Sequence, residues 1–265
     1  FVASFFFGGQ VDGPTGIKFR PDGDKFYVIN STGFADDNID QFSCDTFDIS
    51  QNDPTQDREF EVTPQEGRPT GLAWSDDGTS LFMTGLDSDS IFEYDTSATP
   101  FILPVDGTNP KAVVIDMGDP PFSIDGPTGL TFGDNGNKLY VAVGGTGKGV
   151  FEILLTSPFT IQAGFTSFFK FDPPHEGQPR SVEWSTDGKK MFITGFDAPA
   201  TVYQHSVSVA FDLSSTVLLT AQFNLTNETD FPFGMVFSSD GLRMFIVSFS
   251  TDELLQYRLP SSFQL

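Results

Sequence analysis

A chain of 265 residues with 36 acidic and 14 basic side chains, a formal charge of −22, lacks the basic footprint that nucleic acid or an anionic membrane surface requires of its partner. Its one cysteine, Cys44, excludes an intrachain disulfide, and with only His175 and His205 the usual Cys/His zinc spacings are missing. No run of about 18 apolar residues occurs, so no membrane insertion is expected, and the opening FVASFFFGGQVDG has neither a basic region nor a start methionine; it reads as a mature or excised piece.

In chain order, FVASFFFGG reads as a lone β-strand. The next stretch, GPTGIKFRPDGDKFYVIN from Gly13 to Asn30, holds a strand (Pro14 to Phe19), an Asp22-Gly23 turn that tolerates positive φ, and a second strand (Lys25 to Asn30), which together predict a β-hairpin. It returns as RPTGLAWSDDGTSLFMTG, GPTGLTFGDNGNKLYVAV, QPRSVEWSTDGKKMFITG and FPFGMVFSSDGLRMFIVS. The turns Asp77-Gly78, Asn135-Gly136, Asp187-Gly188 and Asp240-Gly241 follow the first at intervals of roughly 52 to 58 residues, a period of repeat arrays. A phosphate-binding glycine loop would instead occur once, before a helix.

After each hairpin comes a third strand with a recurrent centre: IDQF at Ile39, IFEY at Ile91, VFEI at Val150, VYQH at Val202 and LLQY at Leu254. A Phe-x-Ile/Leu element follows at Phe47, Phe101, Phe159, Phe211 and Phe263, then a fourth strand such as TSFFKFD from Thr166 or TAQFNLT from Thr220. Four strands per unit without helical periodicity predict propeller blades, with 31 Phe residues to fill a large core. The fifth copy stops at SSFQL before any fourth strand, and the chain begins with an unpaired one. The expected fold is therefore all-β: a single five-bladed β-propeller of four-stranded antiparallel blades, approximately 14–65, 69–124, 127–175, 179–230 and 232–265 plus 1–11, closed when Ala3 to Phe7 completes the last blade.

The unit PTGLAWSDDGTSLFMTG with its later IFEYD resembles the propeller repeats of YVTN type and the related TolB-type and bacterial or viral surface-protein propellers. The resemblance covers nearly the whole chain. It implies the fold and leaves function among surface-layer proteins, adhesive modules, partner-binding scaffolds and a few enzymes, since fold does not carry function.

An acidic residue precedes every repeat proline: Asp12 before Pro14, Glu66 before Pro69, Asp125 before Pro127, Glu176 before Pro179 and Asp230 before Pro232. Topology places these five at the channel mouth, either as a site for Ca²⁺ or a basic partner group, or each hydrogen-bonding its own tight loop. No other cofactor is expected. After the prolines stand Thr15, Thr70, Thr128, Arg180 and Phe233. The departures make Arg180, His175 and Glu176 in DPPHEGQPRS the most individual cluster, whereas His205 takes a third-strand position held elsewhere by Phe42, Tyr94, Ile153 and Tyr257 and reads as a core substitution. The sequons at Asn30, Asn224 and Asn227 fall on neighbouring blades of one face, a glycan patch if the source is eukaryotic.

Paired catalytic carboxylates should be unique, but these recur in every blade, and neither histidine lies in a nucleophile-elbow context. The expected function is thus a non-catalytic extracellular or surface module of an appendage, coat or filament, with a protein partner or self-assembly. A lectin-like glycan-binding propeller and a Ca²⁺-assisted hydrolase or lactonase are the alternatives. The lectin needs exposed aromatics at equivalent positions, yet Phe19, Trp74, Phe132, Trp184 and Phe237 fall where the core is expected.

Overall fold

The computed structural model describes residues 1–32, 37–51, 53–108 and 112–265. Among them, twenty β-strands form five four-stranded antiparallel sheets. The lone N-terminal strand is β1 (Ala3–Phe6). Blade one contains β2 (Pro14–Phe19), β3 (Lys25–Asn30), β4 (Asn38–Ser43) and β5 (Thr55–Glu61). Blade two contains β6 (Pro69–Trp74), β7 (Ser80–Gly85), β8 (Ser90–Asp95) and β9 (Ala112–Asp116). Blade three has β10 (Pro127–Gly133), β11 (Lys138–Val143), β12 (Gly149–Leu155) and β13 (Phe165–Phe171), and blade four has β14 (Pro179–Trp184), β15 (Lys190–Gly195), β16 (Thr201–Val207) and β17 (Val217–Asn224). Blade five joins β18 (Pro232–Phe237), β19 (Arg243–Ser248) and β20 (Glu253–Arg258) to β1, so the two ends of the chain share one sheet and the ring is closed.

Each hairpin turn is locked by an aromatic ring. Phe47, Phe101, Phe159, Phe211 and Phe263 all adopt positive φ, between 48° and 57°, a costly conformation for a bulky residue. Each is held there by donating its backbone N–H to the carbonyl of the turn glycine, at 2.8–3.0 Å for Gly23, Gly78, Gly136, Gly188 and Gly241. The ring then lies flush on that glycine: a Cβ on any of the five would come within 2.2–2.3 Å of it. Asp-Gly therefore recurs for two reasons, the positive φ of the glycine and the space its missing side chain leaves.

The same rings seal one blade to the next. Trp74 sits between Tyr27 of the preceding blade (centroids 5.0 Å apart) and its own Phe101 (5.6 Å). Trp184 sits likewise between Tyr140 (4.8 Å) and Phe211 (5.5 Å), and Phe19 between Phe245 (4.5 Å) and Phe47 (5.3 Å). Such pairs add about 0.5–1.5 kcal/mol each beyond area burial, so the abundant Phe is largely interblade mortar. Farther out, fourth-strand residues pack on the next blade's third strand: Phe5 on Phe42, Phe60 on Tyr94, Phe171 on His205 and Phe223 on Tyr257. The polar centre of the third strand clasps the following blade, because Gln256, Glu152 and Gln204 accept the backbone N–H groups of Ile49, Leu213 and Leu265 at 2.7–3.0 Å.

Candidate functional site

The acidic residues before the prolines do different jobs. Glu66, 2% exposed, accepts hydrogen bonds from the N–H groups of Arg68 and Asp87 (both 2.9 Å) and from the Ser88 hydroxyl (2.6 Å), tying the loop into β6 to the β7–β8 turn. Glu176, equally buried, accepts from the N–H of Gln178 (2.8 Å) and Asp197 (3.3 Å). Burial is the main reason its carboxyl pKa is raised. Asp125 is exposed and accepts from Thr146 N–H; hydrogen bonding from the Thr146 side chain first, and from its backbone second, lowers the Asp125 pKa. Asp12 and Asp230 are exposed. In blade five the strap is Thr229 instead, whose hydroxyl meets that of Ser248 at 2.7 Å and accepts the Phe231 N–H. Among the described residues, no three His, Cys, Asp or Glu side chains gather into a group that could hold a metal ion. The five carboxylates do not converge on one centre.

Of the sequon asparagines, Asn224 and Asn227 are exposed, but Asn30 is only 7% exposed, with its Oδ1 accepting the Asp12 N–H at 3.0 Å. His175 is exposed and stacks on Tyr203 at 5.9 Å rather than joining Arg180. His205 is buried at 2% exposure with neither ring nitrogen hydrogen-bonded.

The inner strands meet on the axis. Thr15, Thr70 and Thr128 each donate a hydroxyl to the carbonyl of the next blade's proline (Pro69, Pro127 and Pro179, at 2.8–3.0 Å). The glycines that follow bring the backbones so close that a Cβ on Gly129 would stand 2.5 Å from the Arg180 carbonyl oxygen. Only about 10 Å³ remains at the centre, one water at most. Beneath it, Lys18 Nζ pairs across the axis with Glu183 (2.8 Å), which also accepts the Thr131 hydroxyl (3.2 Å). The channel is shut.

At blades four and five the threonine ladder gives way to Arg180 and Phe233. The Arg180 guanidinium lies over the Phe196 ring at 4.2 Å and against Phe233 at 5.3 Å, within cation–π range. Its Nε is buried without a hydrogen-bond partner. Burial pushes its pKa down, and Glu176 pulls it back up. Beside it opens a cavity of about 340 Å³ walled by Phe196, Phe233, Phe249 and Leu86, with a second lobe of about 370 Å³ running between Arg180 and Arg68. Arg68 is already paired with Asp87. Sequence comparison found Arg180 and Phe233 but missed Phe196, Phe249 and Leu86. A signal existed: the residue after the second strand reads Ser31, Leu86, Gly144, Phe196 and Phe249 around the ring, a column in which only blades four and five carry an aromatic.

The chain is thus a five-bladed β-propeller with one individual feature at its mouth. No protein-family model matches the sequence, and no curated protein matches it. Solved structures of similar architecture include a chain of a nidogen/laminin complex, at 13% identity and TM-score 0.59 over 96% of this chain and 79% of that one. A periplasmic gluconolactonase from Pseudomonas aeruginosa aligns at 16% identity and TM-score 0.51 over 96% and 68% of the two chains. A β-propeller domain from Myceliophteria thermophila aligns at 9% and 0.53 over 97% and 100%. At these identities the likeness is one of fold.

Proposed function

We propose that this chain is a non-catalytic interaction module, working outside the cell or on a cell or virion surface, that offers its channel mouth to a partner. The observation that carries the reading is where the buried carboxylates are used. Glu66 and Glu176 are spent on loop backbones and Glu183 on Lys18, and the two carboxylates that line the second lobe, Asp89 and Asp125, each accept a backbone N–H, from Gly126 and Thr146, which argues against the uncommitted carboxylate pair that hydrolysis of a glycoside requires. The likeness of the repeats to surface-protein propellers, the charge of −22 and the exposed sequons at Asn224 and Asn227 support the location. A lectin built on the repeated aromatics is disfavoured, because Phe19, Trp74, Trp184 and Phe237 are 6–8% exposed. The gluconolactonase among the similar folds sets the sharpest test. A pH-stat assay with D-glucono-1,5-lactone and chromogenic glycosides should give the rate of buffer alone. Saturable hydrolysis of either substrate above that rate would overturn the reading.

A further inference from the structure

We propose that the channel mouth binds a carboxylate carried on a compact apolar body, with Arg180 as the carboxylate's partner and Phe196, Phe233 and Phe249 as the wall for the rest. The inference rests on the reading of the mouth as an interaction site. In a chain with 36 acidic side chains against 14 basic ones, a half-buried arginine would be expected to own a carboxylate. Arg180 has none within ion-pair distance among the described residues, and its Nε is buried with no acceptor. Glu176 lies near enough to be felt electrostatically, but one of its oxygens is bound to backbone N–H groups and the other, Oε2, has no partner at all. A guanidinium has five donors in a planar fork that matches a carboxylate, and an unpaired buried charge is costly to the fold. The fold keeps this cost at blade four, the first of the two blades that break the threonine ladder. A partner from outside would remove it.

The cavity defines the rest of the ligand. About 340 Å³ lies at the small end of ligand sites, enough for an aromatic or branched aliphatic group, and three phenylalanines beside Arg180, with Arg68 on the same wall held by Asp87, favour one charge on an apolar body. The guanidinium is held in place by the Phe196 and Phe233 rings and by Gly144, where an added Cβ would stand 2.6 Å from Arg180 Nη1. This carboxylate chemistry is available from a free monocarboxylic acid or from the C-terminal residue of a partner chain.

Calorimetric titration with 3-phenylpropanoate and with its amide tests the assignment. The acid should bind saturably and the amide at least tenfold more weakly. Arg180→Met keeps the apolar stem against the rings and should bind the acid at least tenfold more weakly while melting at or above the wild-type temperature, the reverse of what a purely structural arginine would give. Gly144→Ala, which retains the charge but displaces the guanidinium, should also weaken binding. Gly-Gly-Phe with a free carboxylate, bound tenfold more tightly than the simple acid, would identify a partner's C terminus as the source; weaker binding would identify a free acid. Equal binding of acid and amide, unchanged binding by Arg180→Met, or no binding of either carboxylate overturns the proposal. None of these results depends on the hydrolysis assay, which decides separately whether the chain is non-catalytic.

Discussion

The turn glycines show how one missing side chain is used twice. At Gly78 the backbone φ is +71°, and a methyl group would stand 2.3 Å from the Phe101 ring. Left-handed geometry costs an alanine about 1–2 kcal/mol, and overpacking adds about 1–3 kcal/mol, so Gly78→Ala should lower unfolding free energy by roughly 3 kcal/mol in urea titration. A loss below about 1 kcal/mol would mean that Phe101 moves aside freely. Asp40 makes the opposite kind of contribution. Fully buried in β4, it has its pKa raised to about 7 by desolvation, against the pull of the hydrogen bond that Gln56 donates, and with added repulsion from Glu59. The folded state therefore holds the proton more tightly than the unfolded chain, so this stability is fully present below about pH 4 and is lost as pH rises through about 7. Asp40→Asn should melt higher than wild type at pH 8, with the advantage shrinking toward pH 4.

The third strand is where repeat and exception can be compared element by element. In β4, β8 and β20 the position facing the previous blade's outer strand is Phe42, Tyr94 and Tyr257; in β16 it is His205, edge-on to Phe171 at 5.7 Å. Burial first, and His175 second, lower the pKa of His205 to about 4. The neutral ring thus contributes stability above about pH 6.5 that is lost as pH falls toward 4. His205→Phe, which copies blade one, should be more stable than wild type by a margin that widens from pH 8 to pH 5 in thermal melts; a constant margin would exclude titration as the cause. The strands and Asp-Gly turns were legible because periodicity and turn chemistry act within a few residues. The left-handed phenylalanines were not, because Phe-x-Ile/Leu shows only as a recurring element until the ring is seen resting on a glycine some 20 residues earlier. The acidic column was legible as a repeat, with loop-strapping as one of its two readings, but which members strap was not, since Glu66 and Glu176 meet the turn after the second strand only once the blade is folded.

At the scale of the whole molecule, closure was written in the ends of the chain: β1 pairs with β20 from Ala3↔Gln256 to Phe6↔Glu253. Phe7 is buried and Phe5 packs on Phe42 of blade one. Removing residues 1–10 should therefore cost on the order of 3–6 kcal/mol for two phenylalanines and enlarge the radius of gyration in solution scattering. An unchanged radius and midpoint would contradict closure by that strand. The site was only half legible. Arg180 stood out as a break in a column, but Leu86, Phe196 and Phe249 come from the ends of β7, β15 and β19, and only the ring brings them to one cavity. On the proposed reading, the mouth is an interaction site organised around an unsatisfied arginine. The most direct test of that reading is the Arg180 Nε–Hε resonance in a ¹H–¹⁵N spectrum during titration with 3-phenylpropanoate. Occupancy of the cavity should give a saturable downfield shift that the amide does not produce. A resonance that does not move while the acid is raised to saturating millimolar levels would contradict it.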